Sequence, residues 1–215
     1  MDGPFYRIGT LAADIMILSF YWIIFSIPLF TIGTSTTALY YVVTRRISNR
    51  EGYLFKDFWT SFKSNFKQST IIWLIFLVVI FILYFNIYNI DAVGDMSIFL
   101  LPIQVFLFLE AVICYMYILP ITARFDISLK NSIKTAFFMA NRHLLTSICC
   151  LLIGAAVLFA SIYTIIMFLV AMGLYVFITS YLFIRIFRKY RPEIDRDPLL
   201  INQMAGTSEK NEGDY

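Results

Sequence analysis

The chain has 215 residues, of which 60% are hydrophobic and only 14% are charged, and its mean hydropathy is +0.78. Soluble domains carry about 25% charged residues, so this composition excludes an ordinary water-soluble protein and predicts an all-α, polytopic membrane helix bundle. The net charge of +3 is less informative than where the charges lie. We expect one integral membrane domain over residues 1–190 and a polar, disordered, cytoplasmic tail over residues 191–215.

Five apolar segments are long enough to cross a bilayer, because about 20 helical residues span roughly 30 Å of hydrocarbon. They are Leu11–Phe30, Thr70–Tyr88, Ile98–Thr122, Leu144–Tyr163 and Met167–Phe187. The last two come from one long uncharged run. We therefore expect a tight turn near Ser161–Thr164.

The stretch SIPLFTIGTSTTALYYVVTRR, from Ser26 to Arg46, begins inside the first span. It is either followed by a sixth span over Phe30–Ile47 or contains a broken helix end. Pro28 lacks the amide hydrogen that a continuing helix needs, and Gly33 weakens the helix further. We expect the helix to break between these two residues. A short second helix then starts with Thr34 or Ser35 as its N-cap, and six spans remain the alternative.

Basic residues are concentrated in three segments. Fifteen of the seventeen lie in Arg45–Lys67, Arg124–Arg142 and Arg185–Arg196, whereas the connection Asn86–Ser97 contains two aspartates and no basic residue. Because lysine and arginine are retained on the cytoplasmic side of membranes, we predict that the three basic segments face the cytoplasm. With five spans, the N-terminus then lies outside and the C-terminus is cytoplasmic.

Two segments place apolar and basic residues at helical spacing. In residues 53–68 the rings fall within a narrow arc that lysines flank, which is typical of a helix lying in the membrane interface. The rings are Phe55, Phe58, Trp59, Phe62 and Phe66, and the lysines are Lys56, Lys63 and Lys67. Residues 127–142 repeat the pattern more weakly. Tyr40 and Tyr41 are also expected at headgroup depth, where amphipathic aromatic residues are favoured.

Glu110 is the leading candidate for a functional residue because it lies near the middle of the third span. An ionised side chain at that depth costs about 2.5–3.5 kcal/mol on insertion scales, so we expect Glu110 to be protonated or bonded to neighbouring helices. Asp14 and Gln104 are candidates for lining the same polar site. The alternative is structural: Glu110 and Gln104 would join helices by hydrogen bonds, and Asp14 would reach the membrane surface.

The chain shows no motif for catalysis, metal binding or nucleic-acid binding. His143 is the only histidine, the three cysteines lie in apolar runs, and TIGTSTT lacks the Gly-Lys-Ser/Thr of a phosphate-binding loop. We therefore expect no cofactor, no metal, no enzymatic activity and no nucleic-acid partner. Anionic membrane lipid is the expected partner of the basic surfaces.

Short stretches distributed along the chain carry a family pattern. They are Ile27-Pro28, Thr31-Ile32-Gly33, Ala38-Leu39-Tyr40, Glu51-Gly52, the run from Ser61 to Lys67, Leu119-Pro120, Ala123-Arg124-Phe125-Asp126 and the region of Asn141. From about Phe5 to Tyr190 the chain thus resembles the YesL-like family of small bacterial multi-pass membrane proteins. That family has no assigned biochemical function and is often encoded beside genes for carbohydrate uptake and glycan degradation.

The resemblance implies a multi-pass protein of the bacterial plasma membrane with a role linked to sugar import, and it supplies no catalytic residue. We expect a non-enzymatic accessory or regulatory component whose partners are permease subunits of a sugar importer. The alternative is a small secondary transporter or permease with its acidic site at Glu110. Such a carrier would have to form a homo-oligomer, because five or six spans are few for a monomeric carrier.

The inner-face residues of the family pattern, Pro120, Arg124 and Asp126, have two interpretations. Arg124 and Asp126 would form an ion pair that docks the third span onto the next surface helix. Alternatively, Arg124 is a basic anchor at the cytoplasmic face with an acid nearby.

Overall fold

A computed structural model describes residues 4–48, 52–90, 94, 96–163 and 165–190. These residues form seven α-helices and the 3₁₀ turn Leu29–Thr31, with no strand among them, which confirms the predicted all-α bundle. The helices are α1 (Pro4–Ser26), α2 (Ile32–Ile47), α3 (Leu54–Tyr88), α4 (Ser97–Arg124), α5 (Leu129–Arg142), α6 (Leu144–Tyr163) and α7 (Ile165–Tyr190). The predicted tail, residues 191–215, lies outside the described residues.

Within the described chain, five helices are long and apolar enough to cross a bilayer, as predicted. The segments are Gly9–Ser26, Leu54–Tyr88, Ser97–Arg124, Leu144–Ile162 and Leu169–Phe187. The helix α2 has 16 residues and is not one of them. The turn predicted near Ser161–Thr164 also matches, because α6 ends at Tyr163 and α7 begins at Ile165.

By its internal contacts the chain separates into two units, Met1–Tyr181 and Leu182–Tyr215. The first unit contains α1 to α6 and the greater part of α7. In the second unit the described residues are the last turns of α7, where the rings of Phe183 and Phe187 stack with centroids 5.9 Å apart. All features discussed below belong to the first unit.

The short helix α2 is central to the packing of the first unit, since ten of its sixteen residues are buried. At its C-terminal end, Arg45 contacts Asp57 near the start of α3, and Arg46 contacts Asp14 in α1. Near its N-terminal end, Thr34 bonds to Thr70, more than three turns further along α3. The helix α2 therefore runs antiparallel to the first half of α3.

The segment predicted as a separate interfacial helix, residues 53–68, is continuous with the following span in α3. The whole helix has 35 residues and is about 52 Å long at 1.5 Å per residue, because no proline or glycine interrupts it. Phe58 and Phe62 are buried and pack on Phe25 of α1, with ring centroids 5.5 and 5.2 Å apart. Two of the predicted lipid-facing rings therefore contact protein. Phe55 and Phe66 are exposed, and their contact with lipid remains a prediction.

The remaining members of that predicted set lie along the same helix. Trp59 is half-buried, packs on Phe25 at 5.5 Å and has the Lys63 ammonium 4.8 Å from its ring. Lys56 and Lys67 are exposed. Lipid binding by these lysines also remains a prediction.

The second amphipathic segment does form a separate helix, α5, which the connection 125–128 joins to α4. One face is buried and consists of small or flexible side chains: Ser132, Ala136, Met139 and Ala140. The exposed side carries Ile133, Phe137 and Phe138 together with Lys130 and Lys134. Contact of these side chains with lipid remains a prediction.

Candidate functional site

The hydroxyl-rich start of α2 forms a buried polar core between α1 and α3. The Trp22 Nε1–H of α1 donates to Thr36 Oγ1 at 2.9 Å. On the other side, the Ser69 hydroxyl donates to Thr37 Oγ1 at 3.0 Å. Thr36 and Thr37 therefore have partners inside the protein, as buried polar groups usually do, whereas the buried Ser35 hydroxyl has none among the described residues. This stretch stabilises the contact between helices and is not a loop open to a substrate.

The break between α1 and α2 is confirmed at Pro28, whose backbone is extended at φ −73° and ψ 106°. The helix α2 then begins at Ile32 with Thr31 as its N-cap residue, so the prediction of Thr34 or Ser35 as N-cap is wrong. The reason is that the 3₁₀ turn already reverses the chain direction, and the Thr31 hydroxyl bonds to Pro28 O at 2.6 Å. Thr34 and Ser35 are instead buried within the helix.

Gly33 lies inside α2 and not in the break, contrary to its predicted role as a helix-breaking residue. Its value is the close approach of α3. A Cβ atom at this position would lie 2.7 Å from the Ser69 carbonyl oxygen and 2.7 Å from Trp73 Cβ. The Trp73 Nε1–H also donates to Leu29 O at 2.8 Å, which fixes the turn against α3.

Tyr40 lies in the protein core, so its predicted position at headgroup depth is wrong. The residue is only 2% exposed, and its hydroxyl lies 3.1 Å from Thr179 Oγ1 of α7. Burial raises the pKa of the Tyr40 phenol above its usual value, although the hydrogen bond with Thr179 acts in the opposite direction. Tyr41, the next residue, is half-buried.

Asp14, a predicted member of the Glu110 site, is paired with a cation of α2. Its Oδ2 lies 3.1 Å from Arg46 Nε, and the two side chains are 20% and 31% exposed. The preceding residue, Arg45, pairs with Asp57 of α3 at 3.3 Å. The sequence placed Asp14 in an apolar span, and it could not show that a later arginine would reach back to it.

Glu110 joins α4 to α5. Its Oε1 accepts hydrogen bonds from Asn141 Nδ2 at 2.5 Å and from Cys114 Sγ at 3.7 Å. A bond to a neighbouring helix was one of the two expectations for Glu110, the other being protonation, but the sequence did not identify Asn141 as the partner. Gln104, further towards the start of α4, has a buried Oε1 with no hydrogen-bond partner among the described residues. The structure does not unite Glu110, Asp14 and Gln104 in one network.

An apolar groove of about 210 Å³ lies beside the Glu110–Asn141 bond, between α3, α4 and α5. Its lining residues are Ile72, Ile75, Phe76 and Val79 of α3, Ala111, Cys114, Tyr115 and Ile118 of α4, and Ile133 and Ala136 of α5. The Phe76 and Tyr115 rings, which are part of this lining, stack on each other with centroids 4.0 Å apart. Sequence analysis missed this groove because its lining is drawn from three helices.

Hydrogen bonds join the helices beyond each end of the groove. At one end, the Gln68 amide of α3 donates to Ile127 O and to Ser132 Oγ, both at 3.0 Å. At the other end, Asn141 donates to Glu110. These bonds hold α5 against α3 and α4.

The inner-face residues of the family pattern lie at the end of α4. Pro120 is buried, Arg124 is the last helical residue, and Asp126 is exposed in the connection to α5. The docking ion pair and the basic anchor both remain predictions.

Side chains that could bind a metal ion do not cluster in the part of the chain that the structure describes. Among the described residues no three His, Cys, Asp or Glu side chains are close enough to hold an ion. Cys114, Cys149 and Cys150 are free thiols, and the last is fully buried.

Residues 15–87 match the model of a family described as a protein of unknown function, DUF624. The matched region includes the helical break, all of α2 and nearly all of α3, but not Glu110 or α5. No curated protein and no solved structure matches the chain. The family match and the five long apolar helices together fit a membrane protein of unknown function.

Proposed function

We propose that the protein is a non-enzymatic accessory or regulatory component of a bacterial plasma membrane, acting through lateral contact with a membrane partner. The observation that carries this proposal is that three polar pairs join neighbouring helices of the bundle. Asp14 is paired with Arg46, Glu110 with Asn141, and Ser69 with Thr37. Groups engaged in this way hold helices together.

The apolar outer surface supports lateral contact. The second half of α3 and the first half of α4 expose large side chains, which include Phe81, Ile82, Phe85, Ile98, Phe99, Ile103 and Phe106. Such side chains face either lipid or another membrane helix. A partner that packs on this hairpin would cover them without any change in the polar core.

The partner we propose is a permease subunit of a sugar importer. Support comes from the resemblance to YesL-like proteins, which are often encoded beside carbohydrate uptake genes. A cytoplasmic C-terminus is part of the same proposal and rests on the fifteen basic residues in three segments.

Site-specific photo-crosslinking tests the proposal in cells. A photoreactive amino acid at Phe99 is expected to crosslink to importer permease subunits, whereas the same residue at Leu158, exposed on α6, serves as the matched control. Deletion of the gene is expected to lower the amount of assembled importer. Absence of permease crosslinks, together with normal importer levels in the deletion strain, would contradict the proposal.

A second candidate function is a small transporter, favoured by the position of Glu110 next to the groove. The Glu110 carboxylate bonds to Cys114, which lines it. Purified protein in vesicles should then move protons or sugars, and Glu110→Gln should abolish the flux. The accessory function predicts that Glu110→Gln leaves importer levels unchanged, because a glutamine oxygen still accepts the bond from Asn141.

A further inference from the structure

We infer that the groove between α3, α4 and α5 binds one acyl chain of an anionic phospholipid, with the phosphate of that lipid next to Lys130. This ligand site is independent of the accessory function proposed above. The inference rests on the lining, the size and the charge at the ends of the groove.

The lining favours a hydrocarbon chain. It is composed of aliphatic and aromatic side chains with one thiol, Cys114, and one phenol, Tyr115. Water in such a space would lack the two to four polar partners that it needs. A hydrocarbon chain gains about 0.8 kcal/mol for each methylene group that it buries.

The size of the groove suits a single hydrocarbon chain. Its volume is about 210 Å³. On α3 the lining runs from Ile72 to Val79, a length of about 10 Å. Part of one extended acyl chain fits this narrow shape.

The charges at the two ends give the lipid a direction. The helices α3 and α4 are antiparallel, so Ile72 and Ile118 lie at the end marked by the Gln68–Ser132 bond. Lys130 is exposed at this end of α5 and lies three residues before Ile133, on the same side of the helix. Two further basic residues, Lys67 and Arg124, are close in sequence to Gln68 and Ile118 at the same end.

The opposite end of the groove carries an acid. Val79 and Ala111 lie there, and Glu110 is the neighbour of Ala111. The phosphate of the lipid is therefore attracted to the Lys130 end, and the acyl chain points towards Glu110. The acid near the Lys130 end is Asp126, which is exposed in the connection between α4 and α5. Basic residues in this arrangement select anionic over zwitterionic lipids.

Photoaffinity mapping of the full chain in bilayer discs tests the site. The probes are phosphatidylglycerol and phosphatidylcholine with a diazirine on the acyl chain, each at low mole fraction in unlabelled phosphatidylcholine. We expect adducts to concentrate on residues 72–79 and 111–118, with phosphatidylglycerol labelling them about fivefold more than phosphatidylcholine.

Paired variants test the groove itself. Ala111→Phe fills the space and is expected to lower the labelling of these residues about tenfold, and Val79→Trp provides a second filling variant should the first not fold. Ala155→Phe adds the same volume on the exposed side of α6 and should leave labelling unchanged. Adducts spread evenly over all exposed apolar helices, or equal labelling in Ala111→Phe and wild type, would overturn the acyl-chain site.

A second pair of variants tests the assignment of the headgroup to Lys130. Lys130→Gln should remove the preference for phosphatidylglycerol, whereas Lys56→Gln, at another exposed lysine, should retain it. Equal labelling by both lipids in the wild type would overturn the anionic headgroup. A preference that persists in Lys130→Gln would overturn the role of Lys130.

Discussion

A Cβ atom on Gly33 would lie 2.7 Å from the carbonyl oxygen of Ser69, so that α2 and α3 touch backbone to backbone at this point. We expect Gly33→Ala to lower the free energy of unfolding by about 1–3 kcal/mol, because overpacking outweighs the better helix propensity of alanine. The midpoint of thermal unfolding in mild detergent measures the change.

The matched control for this prediction is Gly9→Ala. A Cβ atom on Gly9 meets nothing within 4 Å, so this substitution should leave the midpoint equal or slightly higher. A Gly33→Ala protein as stable as Gly9→Ala would contradict the close contact of α2 with α3.

Loss of the Ser69–Thr37 hydrogen bond should lower the free energy of unfolding. Thr37→Val keeps the side-chain shape but removes the acceptor of the buried Ser69 hydroxyl, at a cost of about 1–3 kcal/mol. Adding Ser69→Ala removes the orphaned donor and should recover most of the loss. Thr60→Val, at an exposed position of α3, is the control; an equal effect at Thr60 would contradict the role of the buried bond.

The Asp14–Arg46 pair can be measured by a double-mutant cycle. Asp14→Asn, Arg46→Gln and the double variant should give a coupling free energy of about 1 kcal/mol, since both side chains are partly exposed. The coupling should fall as salt concentration rises. Additive effects, with no coupling at low salt, would show that the two residues do not interact.

Burial of the Tyr40 phenol predicts that the protein loses stability at alkaline pH. Its pKa is raised by burial in the folded state, so the neutral phenol stabilises the fold below the unfolded pKa of about 10. That contribution is lost as pH rises through the folded pKa, because the unfolded chain then releases the proton more readily.

Tyr40→Phe should therefore be slightly less stable than wild type at pH 8, because it lacks the hydrogen bond with Thr179. Above pH 10 the difference should narrow and then reverse. Thermal unfolding midpoints from pH 8 to pH 12 test this expectation, and parallel profiles for the two proteins would contradict it.

Sequence alone determined the class of the protein, the five spans and the break at Pro28. These follow from properties that are local in the chain: hydropathy over about 20 residues, the missing amide hydrogen of proline and the length of each apolar run. The turn between α6 and α7 was predictable for the same reason, since no single helix of that length suits a bilayer.

Tertiary structure alone decided the partners of the polar residues. Asp14 meets Arg46, Glu110 meets Asn141 and Tyr40 meets Thr179 over separations of 31 to 139 residues along the chain. Helix periodicity shows which face a side chain occupies but not which helix covers that face. In the sequence, the hydroxyl residues of α2 make this segment a poorly apolar candidate for a span. In the fold, packing against other helices buries them.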